Sequence, residues 1–233
     1  FQATSQRIKY SLVPVVAAVR GLALGGGCEF PMHSAKTVAS LESYMGLVEA
    51  GVGLLPAGGG LKEIAVRASQ AAGPGGDVFA ELKKTFETVA MAKVSASAME
   101  AQELGLLRKT DRIVFNAYEL LYVAKQEALA LAESGYRPPL PARRIQVVGD
   151  VGIATFKMML VNMLEGRFIS EYDYEIAVRI ATILCGGEVD RGSLVDEEWL
   201  LKLERKHFVE LAQQEKTQAR IGHMLKTGKP LRN

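Results

Sequence analysis

Three features of the 233-residue sequence predict an α/β fold built on parallel strands. Apolar runs rich in β-branched residues end in glycine triplets, each triplet opens a helical stretch, and the region carrying them is almost without charge. Gly21 to Gly76 hold 13 of the 23 glycines, and residues 11–60 hold only five charged side chains: Arg20, Glu29, Lys36, Glu42 and Glu49. Strand, glycine turn and helix, twice in succession, is the pattern of strands joined by crossovers.

Residues 12–19, Leu-Val-Pro-Val-Val-Ala-Ala-Val, read as a strand buried on both faces. Pro14 has no N–H to give a neighbour, so it belongs near the strand start or at an edge. Gly25-Gly26-Gly27 leads into a short helix over about 28–33, and 36–41 reads as a second strand. Gly58-Gly59-Gly60 opens a helix of roughly 61–71; a glycine-rich turn at 72–76 precedes a helix over 77–91. Ser97 and Glu100 are spaced as a capping box, and their helix stops at Gly105. Residues 106–114 read as a strand, and Asn116 with Glu119 starts a helix to about 134. Tyr136-Arg-Pro-Pro-Leu-Pro141 is a stiff linker, which puts an α/β core at 1–135 and a helical C-terminal region at 136–233. Helices are expected there at about 151–165, 171–185, 196–213 and 216–227, with Leu200, Leu203, Phe208 and Leu211 marking one face of the third.

Composition excludes several classes. The 28 Lys+Arg against 26 Asp+Glu leave a net charge of +2, too even for a polybasic nucleic-acid coat or an acidic tail. With 48% apolar and 23% charged residues the chain is globular rather than disordered. There is no run of about 18 apolar residues that would suggest a membrane span. The start, Phe1-Gln2-Ala3-Thr4, has neither Met nor the basic and apolar regions of a signal peptide, and reads as an interior cut of a longer chain. Cys28 and Cys185 imply no disulfide framework, so a reducing cytoplasm is expected, and His33, His207 and His223 suggest no zinc cluster and no metal.

A glycine turn at a helix start lets backbone approach a ligand closely and aims partnerless N–H groups at it. Such a turn binds a phosphate or an oxyanion. Glycines alone are equally explained by tight strand–helix packing, and the spacing matches neither a dinucleotide fingerprint nor a P-loop. The carboxylates add the argument. Glu29 follows Gly25-Gly26-Gly27 on the first turn, and Glu49 lies 20 residues on; both sit in apolar sequence. Two glutamates near one oxyanion site suit a base and an acid whose pKa values are pushed apart. Taken singly, Glu29 is a carboxylate favoured by the helix dipole and Glu49 a surface residue before a turn at Gly51. Cys28 reads as a small buried hydrophobe and His33 as a helix-end capping contact. Residues 216–233 hold Lys216, Arg220, Lys226, Lys229 and Arg232 without an acid, either an anion-contacting stretch or a solvated basic helix and tail. No aromatics interleave with them, which disfavours nucleic acid.

Pro14-Val-Val-Ala-Ala-Val-Arg-Gly-Leu-Ala-Leu-Gly-Gly-Gly-Cys-Glu29 closely resembles the signature of the crotonase (enoyl-CoA hydratase) superfamily. Tyr44-Met-Gly-Leu-Val-Glu49-Ala-Gly-Val-Gly-Leu-Leu-Pro-Ala-Gly-Gly-Gly60 resembles its second signature, and the glutamate spacing matches that of hydratases. Ser97 to Leu107 is similar to a later helix of the family, and Gly228-Lys229-Pro230 to its closing tail. Residues 136–205 look most like the hydratase part of bacterial bifunctional proteins that join 3-hydroxyacyl-CoA dehydrogenase to enoyl-CoA hydratase. The resemblance implies a crotonase-like ββα superhelix, of which this chain is the second half only, followed by a helical C-terminal region. The missing first half would carry the other oxyanion N–H and much of the CoA adenine site.

The resemblance further implies that a 2-enoyl-CoA thioester of fatty-acid β-oxidation sets its carbonyl oxygen against the N–H of Gly26. Glu29 then activates the water that adds at C3, and Glu49 delivers the proton at C2. Gly25, Gly27, Leu54, Pro56 and Gly58 become candidate substrate contacts, and Lys226 and Lys229 candidate contacts to the CoA phosphates. No cofactor is implied for this chain; NAD would belong to the dehydrogenase part alone. The expected partners are the acyl-CoA, the missing N-terminal part of the same polypeptide and further copies of the chain, with no nucleic acid and no membrane. The alternatives are an enoyl-CoA isomerase using the same oxyanion site, and a non-catalytic crotonase-like assembly module. Two expectations follow: the Glu29 and Glu49 carboxylates face one cavity into which the Gly26 N–H points, and the chain alone is inactive and oligomeric or aggregation-prone.

Overall fold

Glycine and cap residues set the element boundaries in the computed structural model, which describes residues Phe1–Asn233. The order is α1 (Gln2–Lys9), β1 (Val16–Leu24), α2 (Gly26–His33), β2 (Lys36–Gly46), a 3₁₀ turn (Glu49–Val52), α3 (Gly60–Ala72), α4 (Val78–Ala90) and α5 (Ala98–Glu103). There follow β3 (Arg112–Val114), a 3₁₀ turn (Ala117–Glu119), α6 (Leu120–Glu133), β4 (Ile145–Gln146), α7 (Gly149–Glu165), α8 (Glu171–Leu184), β5 (Leu194–Val195), α9 (Glu197–Ala212) and α10 (Glu215–Thr227). No helix is long and apolar enough to cross a membrane.

The elements gather into two units, one of Phe1–Leu47 with Lys93–Pro141 and the other of Val48–Ala92 with Ala142–Asn233. These are not the consecutive stretches 1–135 and 136–233. The chain leaves the first unit after Leu47, returns at Lys93, and leaves it again after the proline-rich 136–141.

In the first unit β1, β2 and β3 form a parallel sheet in that order. The strand expected at 12–19 runs instead from Val16 to Leu24, with Leu12 and Val13 exposed ahead of it, and it is not buried on both faces: Val19 and Ala23 are buried while Ala18, Arg20 and Leu22 are exposed. The exposed residues alternate along β1, so one face of this edge strand is left uncovered. Pro14 precedes the strand, where its missing N–H costs no ladder bond. The doubly buried strand is β2, whose Thr37, Val38, Ala39 and Ser40 are all buried. It is also longer than 36–41, because the pairing with β1 resumes past an irregularity between Val19 and Gly21, where the Ser43 hydroxyl donates to Val19 O at 3.1 Å. Val38, Val114, Leu120 and Ala124 close a core under α6. The strand expected at 106–114 shrinks to Arg112–Val114, since Arg108 to Asp111 fold into a turn.

The second unit is mostly helical. Phe156 of α7 is fully buried against Phe86 and Phe79 of α4, with ring centroids 4.1 and 4.8 Å away. Ile176, Ile180 and Ile183 of α8 are buried as well. Ser170 and Asp173 form a full capping box that starts α8, and Asp196 caps α9 through the Trp199 N–H. On α9 the buried positions are Glu197, Leu200, Leu201, Glu204 and Leu211, whereas Leu203 and Phe208 are only half-buried.

Candidate active site

In the first unit the glycine turn ends β1 and starts α2. Gly25 continues the strand ladder by donating to Gly46 O at 2.8 Å, then takes a positive φ of 55° as the helix N-cap, a conformation glycine adopts without steric cost. Its carbonyl accepts from the N–H groups of Cys28 at 2.8 Å and Glu29 at 3.1 Å. Gly26 and Gly27 are therefore the first helical residues, whose N–H groups have no partner within the helix. A Cβ on Gly26 would lie 2.6 Å from the Phe1 ring, which stacks on Phe30; one on Gly27 would meet nothing within 4 Å.

Glu29 sits on the first turn of α2 and is 2% exposed. The positive end of the helix dipole favours a carboxylate there. His33 donates from Nδ1 to Glu29 O, 2.7 Å away, one turn on, which is a helix-end contact, and Cys28 is buried. The far end of α2 is tied down by Arg108, whose Nη2 donates to Ser34 O at 2.8 Å. Asp111 accepts from both the Arg108 N–H and the Thr37 N–H, at 2.7 and 2.8 Å. Neither residue stands out in the sequence.

In the second unit Glu49 opens the 3₁₀ turn and is half-buried. The left-handed residue that ends this turn is Gly53, with φ 85°, rather than Gly51. Leu54 is half-buried, while Pro56 and Gly58 are buried on the stretch leading to α3. Gly59, with φ 107°, is the N-cap of that helix. Lys226 and Lys229 are exposed, on the last turn of α10 and just beyond it. Arg220 is neither solvated nor available to an anion: it is 1% exposed and its Nη1 lies 2.7 Å from Asp173 Oδ1. No set of three or more His, Cys, Asp or Glu side chains is arranged to hold a metal.

A family model described as enoyl-CoA hydratase/isomerase matches residues 1–112, the stretch that holds the Gly25–Glu29 turn and Glu49. Through those residues the chain is similar to the enoyl-CoA hydratase/isomerase family. It is 48% identical, over its whole length, to a "Probable 3-hydroxyacyl-CoA dehydrogenase" of Bacillus subtilis, of which it spans 29%. It is 34% identical over 123 residues, 53% of the chain, to a short-chain-enoyl-CoA hydratase of Clostridium acetobutylicum, spanning 41% of that protein. Among solved structures, an enoyl-CoA hydratase from Bacillus halodurans superposes with a TM-score of 0.55 at 18% identity, covering 95% of this chain and 64% of that one. A carnitinyl-CoA hydratase from Mycobacterium avium gives 0.51 at 22% identity, covering 94% and 62%. These likenesses show the crotonase fold.

One feature of the chain escapes a reading of its sequence: a buried ionic cluster at the start of α3. Lys62 is fully buried, with Nζ 3.1 Å from Glu63 Oε2 and 3.0 Å from Glu197 Oε2. Burial alone would lower the Lys62 pKa, but the two carboxylates outweigh it and raise it. Glu204 of α9, also fully buried, accepts the Lys62 N–H at 2.7 Å and so caps α3 from another helix. The partners are 142 residues apart in sequence, so only the fold brings them together.

Proposed function

We propose that the chain supplies the acid–base groups of an enoyl-CoA hydratase acting on 2-enoyl-CoA thioesters in fatty-acid β-oxidation. The observation that carries the reading is Glu29, a carboxylate removed from water beside the N–H groups that open α2. Taking a charge out of water costs several kcal/mol, and at the start of α2 the helix dipole and the open N–H groups offset part of that cost for a carboxylate placed beside an oxyanion site. The family match of residues 1–112 and the hydratase of Clostridium acetobutylicum to which the chain is similar support the same activity.

In this reading the thioester carbonyl oxygen accepts from the Gly26 N–H. The Glu29 carboxylate takes one proton from a water whose oxygen bonds to C3, and the C2–C3 π electrons move toward the thioester as an enolate. The Gly26 N–H stabilises the charge on its oxygen. Protonated Glu49 then gives its proton to C2, completing the addition of one water, and proton exchange with solvent restores both carboxyl groups. Exposed Lys226 and Lys229 contact the CoA phosphates. NAD chemistry belongs to a dehydrogenase part of a longer polypeptide, in keeping with the name of the Bacillus subtilis relative.

The test is the pair of variants Glu29→Gln and Glu49→Gln in the whole polypeptide. Glutamine keeps the shape and removes the acid–base function, so each should lower kcat by about 10²–10⁴-fold while acyl-CoA binding, read by calorimetry, stays near wild type. Wild-type turnover in either variant would make that glutamate structural.

A further inference from the structure

We propose that Thr217 and Arg220 of α10 are positioning residues for Glu49, so that the C-terminal helix sets the reach of the carboxyl group that protonates C2. The inference rests on the hydratase reading and deepens it.

Glu49 stands on a single 3₁₀ turn of four residues. So short a helix has little stability of its own, although its Glu49 and Ala50 carbonyls accept the Leu54 and Gly53 N–H groups at 3.0 and 3.1 Å. Helix α10 supplies a side-chain donor to two of the carbonyls at that end. Thr217 Oγ1 donates to Gly53 O at 2.6 Å, and Arg220 Nη1 reaches Ala50 O at 3.5 Å. The approach extends to the backbone: a Cβ on Gly53 would lie 2.9 Å from Thr217 Cα.

Both donors are fixed from behind. Thr217 is fully buried, and its hydroxyl lies 2.6 Å from the Tyr172 hydroxyl. Because Thr217 gives its one proton to Gly53, Tyr172 is the donor in that second bond. Arg220 is held by Asp173 at 2.7 Å, with its guanidinium 5.0 Å from the centre of the Tyr172 ring. Asp173 in turn accepts the Ser170 N–H in the capping box of α8. Burial opposes the charge on Asp173, but the bonds from Arg220 and Ser170 outweigh it and lower its pKa. The backbone at Glu49 is thereby anchored through α10 to the start of α8. None of these four side chains is needed to touch substrate; their effect on the reaction is the placement of Glu49.

The experiment uses the whole polypeptide and a short 2-enoyl-CoA. Thr217→Val keeps the shape and deletes the donor. Misplacing a reacting group by about 1 Å costs on the order of 10²-fold, so kcat should fall by roughly 10- to 100-fold with KM within about twofold, and Thr217→Ser should restore it. Arg220→Lys, which keeps the charge beside Asp173 but not the fork, should act in the same direction. Added to Glu49→Gln, Thr217→Val should change the residual rate no further, since the group it places is already disabled. Wild-type kcat in Thr217→Val, or the same fold loss in the Glu49→Gln background, overturns the inference while leaving the hydratase reading in place. A wild-type protein that hydrates no 2-enoyl-CoA overturns both.

Discussion

Lys62→Met isolates the buried ionic cluster. Methionine nearly matches lysine in length, so little cavity forms and the change is chiefly the loss of the ammonium group. Glu63 and Glu197, with side chains 9% and 8% exposed, then lose a cation at 3.1 and 3.0 Å, while Arg67 Nε stays 3.5 Å from Glu63. Removing one partner of a buried pair costs about 3–5 kcal/mol, far more than a surface pair would. The sign of the pH dependence follows. Without Lys62 two buried carboxylates lose their cation, a state that protonation relieves, so the variant's deficit should shrink at acid pH. In the wild type the raised Lys62 pKa gives stability that is complete below the unfolded value of about 10.4 and is lost as pH rises through the folded value, so the deficit narrows there as well. Urea unfolding followed by circular dichroism across this range reads both limbs. A loss below about 1 kcal/mol at neutral pH, or one that does not change with pH, would refute the argument.

Gly53→Ala should destabilise by about 2–4 kcal/mol, combining a left-handed backbone with overlap against Thr217, whereas Gly27→Ala, with open space, should be near neutral in the same urea titration. The chain in isolation should associate, because β1 is a sheet edge and Leu12, Val13, Leu22, Phe115 and Tyr118 are exposed in the first unit. Light scattering that reports a stable monomer would contradict this.

Much of the fold was legible because local chemistry wrote it. The helix expected at 171–185 is Glu171–Leu184, and Ser170 and Asp196 mark starts that the cap rules recognise. The strand at 12–19 was misplaced because a continuous apolar run looks the same on an edge strand as on a central one. At Ser97 the capping hydroxyl is present, but Glu100 reaches back to the Ala96 N–H instead of closing the box. Of the candidate site, the glycine turn and the apolar setting of Glu29 were visible as a charge where charge is scarce. Arg220 was not distinguishable from its basic neighbours, although Thr217 and Arg220 share one helix face by spacing. Lys62 and Glu204 were invisible as a pair, since nothing local relates residues so far apart in the chain.

The central claim, that water is added across the double bond by Glu29 and Glu49, is tested most directly by isotope incorporation. The whole polypeptide is given a 2-enoyl-CoA in H₂¹⁸O and, separately, in D₂O, and the product is read by mass spectrometry and NMR. The account predicts one ¹⁸O at C3 and one deuterium at C2, both suppressed in Glu29→Gln and Glu49→Gln. A product that has moved its double bond without ¹⁸O would make the protein an isomerase, and full ¹⁸O incorporation by both variants would contradict the assignment of the two glutamates.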